Sequence, residues 1–197
     1  MKIEELKQKG NVTVTEVKNG CVKVSADKGF ILKCGDTYTS EIYCDKDAEL
    51  QGYEVVAYSD YLRAENKKKY EGKTLEEAKK MLLAEIDAYD TSSAVNGFML
   101  NGLLVWLDKA TRVGLMNSTT IAKAAGQETT TLWLKGIKLV VDCDKAIQLL
   151  SALEMYALEC FNVTAAHKAA VGELKSIEEV EAYDYKAGYP KMLEMSV

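Results

Sequence analysis

His167 is the only histidine in the chain, so any mechanism that pairs an imidazole base with a serine or cysteine nucleophile must use it. Cys160 lies seven residues earlier, which on a helix is two turns and about 10 Å away. That is too long for a direct thiolate and imidazole pair, and His167 reads as a hydrogen-bonded packing residue. The five cysteines, at 21, 34, 44, 143 and 160, are odd in number and contain no CxxC pair. They suit free thiols in a reducing compartment and argue against disulfides or a cysteine zinc site. Paired carboxylates occur at Glu76-Glu77 and Glu178-Glu179, but each pair follows a Thr or Ser in the form of a capping box, Thr74-Leu75-Glu76-Glu77 and Ser176-Ile177-Glu178-Glu179. Acids there stabilise a helix start, which is a simpler account than convergence in a pocket. Asp45-Lys46-Asp47-Ala48-Glu49 lacks the glycine and the distant glutamate of a calcium loop and reads as a charged turn. No GxxxxGK[ST], GxGxxG or GxSxG motif is present. No catalytic, cofactor-binding or metal-ligating residue is therefore assigned. Trp106 and Trp133 lie in strand-like stretches and read as core, which leaves the C-terminal tyrosines Tyr183, Tyr185 and Tyr189 as the candidate contact surface.

The elements that hold these residues are legible from periodicity. From Asn11 to about Tyr58 short strands alternate with turns. The strongest signal is Asn19-Gly20, which tolerates the positive φ angles of a tight hairpin between Val12 to Val17 and Cys21 to Val24. This predicts a small β-module over residues 1–58. Residues 59–73 are polar and rich in Tyr and Lys, and read as a linker or an exposed helix. An α+β domain is expected over residues 74–197. It opens on an amphipathic helix with Leu75, Ala78, Leu82, Ile86 and Tyr89 on one face. Two hairpins follow, turning at Asn101-Gly102 and Lys135-Gly136, each leading into a helix. Asp108 is placed to cap the first of these helices, with Gly126 as its left-handed stop. Asp142 or Asp144 caps the second, which is long and runs from about Lys145 to Lys175. Its stripe, from Ala146 through Leu153, Cys160 and His167 to Leu174, fits either a core-facing helix or an inter-subunit seam. A short helix ending near Tyr183 completes the α+β fold of three to four helices.

Composition bounds the function. A chain of 197 residues with 48% hydrophobic and 28% charged residues is long enough to build its own core without staples. A net charge of -5, with Lys67-Lys68-Lys69 as the only basic run, argues against a nucleic-acid surface. No apolar window approaches a membrane span or a signal peptide, so the chain is expected to stay in the compartment where it is made.

Over residues 73–190 the chain resembles the phage-associated family catalogued as domain of unknown function 4376. The resemblance rests on Tyr89-Asp90-Thr91-Ser92, Val95-Asn96-Gly97-Phe98, Trp106-Leu107-Asp108, Arg112, Leu132-Trp133, Leu153-Glu154-Met155-Tyr156-Ala157, Cys160 and His167. It implies a tail-fibre-associated protein of a phage or prophage, of a form similar to those of Bacteroidetes and their phages, and no cofactor. On that basis the expected role is a non-enzymatic structural or receptor-binding accessory component of the tail. A tail-fibre assembly chaperone is the alternative, and an enzyme is a third. The partners expected are further copies of the chain, as a trimer or dimer, other phage tail proteins and a cell-surface receptor. The expected location is the host cytoplasm during synthesis and then the virion tail.

Overall fold

The computed structural model describes residues 2–134 and 136–196. In chain order the elements are α1 (Ile3–Gln8), β1 (Val12–Lys18), β2 (Cys21–Ala26), β3 (Phe30–Cys34), β4 (Thr37–Thr39), β5 (Glu41–Asp45), β6 (Tyr53–Ala57), α2 (Tyr58–Tyr70) and α3 (Leu75–Asp90). Then come α4 (Ser93–Asn96), β7 (Gly97–Leu100), β8 (Leu103–Trp106), α5 (Lys109–Ala124), β9 (Thr129–Leu134), β10 (Ile137–Asp142), α6 (Cys143–Glu173), α7 (Ile177–Glu181) and β11 (Leu193–Met195). Seven helices lie among four small sheets whose strands pair antiparallel except for β11 with β7, among the described residues, which makes the class α+β. The chain forms two compact units, one of Met1–Ala78 with Lys175–Asp184, the other of Lys79–Leu174 with Tyr185–Val197. The division falls inside α3, and a segment from the C-terminal part returns to the first unit.

The first unit contains two three-stranded sheets, ordered β1-β2-β5 and β4-β3-β6. Asn19 and Gly20 turn the β1–β2 hairpin with φ of 53° and 78°, values that Asn and Gly adopt at least cost. Alternate residues of the strands point inward, so that Val12, Val22, Val24 and Leu32 meet Ile3, Leu6 and Leu50 in one core. Of the two readings of residues 59–73, the structure has the helix, α2, which ends at Tyr70. Its inner stripe is aromatic and polar, which is why it escapes a hydropathy reading. Tyr61 packs its ring against Tyr38 at 4.8 Å and Tyr58 at 5.5 Å, Tyr70 is buried, and Asn66 donates to the Glu181 carbonyl of α7 at 2.8 Å. Lys67 and Lys68 face solvent.

The second unit is built on the β7–β8 hairpin, turned at Asn101 and Gly102 with φ of 50° and 81°, and on the β9–β10 hairpin. β11 adds to β7 in parallel, pairing Leu193 with Phe98, and Asn101 donates its N–H to the Met195 carbonyl at 3.0 Å. Asp108 caps α5 by accepting from the Thr111 N–H at 2.9 Å, and Gly126 ends the helix at φ 81°. Asp142 caps α6 by accepting from the Asp144 and Lys145 N–H groups. The α6 stripe is core: Ala146, Leu150, Leu153, Ala157, Cys160, Thr164 and Val171 are buried within the chain, and His167 and Leu174 are half-buried. The seam reading of that stripe is thus replaced by intramolecular packing. Trp133 differs from expectation too, being 60% exposed. Leu132 and Leu134 occupy the inward face of β9, so strand alternation sends the residue between them outward.

A simple test of the α5 assignment follows from Gly114, an exposed mid-helix glycine at which an added Cβ meets nothing within 4 Å. Gly114→Ala is expected to raise stability by about 0.5–1 kcal/mol in urea unfolding, because alanine loses less backbone freedom on folding.

Candidate functional site

The second unit carries a cleft of about 460 Å³. Four stretches of chain line it: the end of α3 with Asp90 and Thr91, Asn96 of α4, the run Trp106-Leu107-Asp108-Lys109 into α5, and one side of α6. From α6 come Glu154, Ala157, Leu158 and Phe161, while Arg112 sits at the floor. Short-range rules fix each contributor. The hairpin delivers Trp106 and Leu107 to the point where Asp108 starts α5, and Arg112 follows one turn later. Its side chain is only 9% exposed. Its Nε donates to Glu154 Oε1 at 2.8 Å and its Nη1 donates to the Leu107 carbonyl at 2.8 Å. One guanidinium fork thereby ties the hairpin exit, α5 and α6 together, a task that suits arginine's planar donors. Asp108 is committed to Thr111, whose N–H and hydroxyl both donate to it and hold its carboxyl below the usual carboxylate range. Asn96 donates to the Asp90 carbonyl at 2.8 Å, so that the α3–α4 bend is closed by its own side chain.

Behind the cleft runs a chain of hydroxyls. Thr164 donates to Asp90 Oδ1 at 2.6 Å. The Thr164 oxygen lies 2.8 Å from the Tyr189 hydroxyl, and because the threonine proton goes to Asp90, Tyr189 is the donor to Thr164. Thr164→Val is expected to cost about 1–2 kcal/mol in chemical unfolding, since it leaves the half-buried Tyr189 hydroxyl without its acceptor and the Asp90 carboxylate without its donor. Tyr156 and Cys160 both donate to the Val95 carbonyl, at 2.8 and 3.3 Å, using its two lone pairs. Burial pushes the Cys160 thiol upward, which keeps it protonated and a poor nucleophile. His167 is engaged elsewhere: its Nε2 is 2.9 Å from the Ala187 carbonyl, which can only accept, and its ring lies 5.8 Å from that of Tyr189.

Burial also pushes the Tyr156 hydroxyl up to about 12 from its ordinary 10.0, with the neighbouring Cys160 adding to the effect. A raised folded value means that the native state retains a proton which the unfolded chain loses. The stabilisation is therefore complete below about pH 10 and is lost as pH climbs towards about 12. Alkaline unfolding followed by circular dichroism is expected to show this loss, roughly 2–3 kcal/mol, and Tyr156→Phe is expected to flatten it.

The expected contact tyrosines occupy other places. Tyr183 is half-buried in the first unit. Tyr185 and Tyr189 are half-buried in the second, both packed edge-on against Tyr89 at 5.6 and 5.5 Å. The structure brings together a different set, and most of it was already visible as the run of residues that carries the resemblance: Asp90, Asn96, Trp106, Asp108, Arg112 and Glu154. A family model described as "Domain of unknown function (DUF4376)" matches residues 77–187. The chain belongs to this family. No curated protein and no solved structure matches it. Every residue lining the cleft lies inside the DUF4376 region. Lys109, Leu158 and Phe161 escaped the sequence reading. The signal for the last was available: an aromatic residue on α6 that falls off its apolar stripe.

Among the described residues, no cluster of three or more His, Cys, Asp or Glu side chains is placed to hold a metal ion. No described helix is long and apolar enough to cross a membrane. The Asp45 to Glu49 stretch closes as a turn, with the Ala48 N–H on the Asp45 carbonyl at 2.9 Å.

Proposed function

We propose that this DUF4376 protein is a non-enzymatic structural or receptor-binding accessory component of a phage or prophage tail, acting as a homo-oligomer and gripping another tail protein through the cleft. One observation carries the reading. The cleft groups with the means to do chemistry are committed to holding the fold: Arg112 to Glu154 and Leu107, Asp108 to Thr111, Asp90 to Thr164. What the cleft offers outward is the Phe161 ring, 61% exposed on its α6 side, with Lys109 exposed opposite. An aromatic anchor point beside a charged rim is the composition of a protein contact surface. The phage context rests on the resemblance of the family to tail-fibre-associated proteins.

Mass spectrometry of purified particles tests the proposal. The expected result is the chain in finished particles at a fixed ratio to the tail proteins. Its absence from particles, together with binding to an unassembled tail-fibre protein, supports the assembly-chaperone alternative. Absence from both overturns the tail assignment.

A further inference from the structure

We infer that the protein pairs with a second copy of itself through the solvent face of α6, the two helices lying antiparallel. This stands on observations separate from the phage-tail reading. α6 carries a second stripe, on roughly the opposite side from its buried one: Ser151, Met155, Leu158, Asn162, Ala165 and Ala169, spaced alternately four and three residues apart. The same spacing extends it to Gln148 and Gly172, so it covers about 36 Å of helix. All of these positions are exposed and none is charged, although 28% of the chain's residues are. Met155 is 60% exposed and Phe161, just beside the stripe, 61%. A helix face that stands in water normally shows charges, and this one shows none over its whole length. The alternation of three and four is the spacing of a helix–helix seam.

Two features select a second copy in antiparallel orientation. The first is size. The two large apolar residues, Met155 and Leu158, fall in the N-terminal half of the stripe, and Ala165, Ala169 and Gly172 in the C-terminal half. Antiparallel alignment sets Met155 against Ala165 of the partner subunit, Ser151 against Ala169 of the partner subunit, and Leu158 against Asn162 of the partner subunit. Parallel alignment stacks Met155 on its own copy and leaves the alanines facing one another. The second is charge, which flanks the stripe at Lys145, Glu154, Glu159, Lys168 and Glu173, with Glu154 also held by Arg112 and Lys168 by Asp87 of the same chain. The antiparallel register places Glu154 beside Lys168 of the partner subunit and Lys145 beside Glu173 of the partner subunit, each twice by symmetry, and only Glu159 meets its like. Parallel alignment instead sets Glu154 beside Glu159 of the partner subunit twice. A seam of this kind is self-complementary, as twofold symmetry requires.

The test uses the full chain. Sedimentation velocity over a range of concentrations is expected to show a dimer. Mild oxidation of Ser151→Cys alone or Ala169→Cys alone is expected to give no link through the new thiol. A mixture of the two is expected to link 151 to 169, located by peptide mapping so that links through the native thiols are told apart. Met155→Lys and Leu158→Lys are each expected to weaken association at least tenfold with the circular dichroism spectrum unchanged. Lys145→Glu is expected to weaken it about tenfold, and adding Glu173→Lys to restore it. A monomer at every concentration overturns the inference, as do self-links at position 151 or a dimer indifferent to the Met155 and Leu158 changes. The cysteine variants replace small exposed residues, so they read the seam even where a lysine variant folds poorly.

Discussion

Gly97→Ala is expected to cost about 3 kcal/mol or more, the largest loss from one added methyl group anywhere in the second unit. The backbone angle is not the reason, because φ at Gly97 is -72° and suits any residue. Space is. A Cβ built there comes within 2.1 Å of the Ser93 carbonyl oxygen and 3.2 Å of Leu104 Cδ1. The first of these neighbours is backbone and cannot swing aside, so α4 must open or β7 must shift away from it. Asn96 and Phe98 flank this glycine, one closing the α3–α4 bend and the other fully buried in the core. The damage should therefore appear both as a lower urea midpoint and as weaker partner binding at the cleft. Gly114→Ala, a methyl added where nothing stands in the way, is the matched control.

Arg112→Ala should rank next, at about 3 kcal/mol. It removes both donors at once, leaving the Leu107 carbonyl and the Glu154 carboxylate without the guanidinium that now bridges them. Glu154 is about one-third exposed, so water recovers part of the loss on that side, and the double variant with Glu154→Gln should show a coupling of only about 1 kcal/mol. Arg112→Lys should recover little, because a single ammonium cannot reach two acceptors in the arginine geometry. Equilibrium urea unfolding of the wild type, Arg112→Ala, Glu154→Gln, the double variant and Arg112→Lys measures all of these differences.

The features legible in sequence are those fixed by neighbours along the chain. Asn19-Gly20 and Asn101-Gly102 turn as hairpins because their φ angles are positive. Asp108, Asp142 and Ser176 start helices because their side-chain oxygens accept the orphan N–H groups of a first turn. The Glu77 carboxylate accepts from Thr74, as its capping box requires. Ser92 shows where local reading stops short. It caps a four-residue helical turn through the Ala94 N–H, so the strand that leads into Asn101-Gly102 begins only at Gly97.

Features set by distant partners were hidden. β11 is three residues long and exists only because β7 offers it an edge in parallel. The return of Lys175–Asp184 to the first unit depends on contacts such as Asn66 with the Glu181 carbonyl, 115 residues apart. The cleft belongs to the same class. Its residues were already quoted as a signature, but no periodicity reveals that Asp90, Trp106, Arg112 and Glu154 meet. Hydropathy also misleads in both directions at the surface. The tyrosines at 185 and 189 look like contact residues and are spent on Tyr89, whereas Trp133 looks like core and is exposed.

The central proposal is that the cleft binds a phage or prophage tail protein, and titration calorimetry of the purified chain against tail-fibre proteins encoded in the same genome addresses it most directly. The chain is expected to bind one of them, and Lys109→Glu combined with Phe161→Ser is expected to weaken that binding at least tenfold, while Val113→Ser, on another exposed part of α5, leaves it unchanged. Equal binding by the cleft variant, or binding to none of these proteins, would contradict the account.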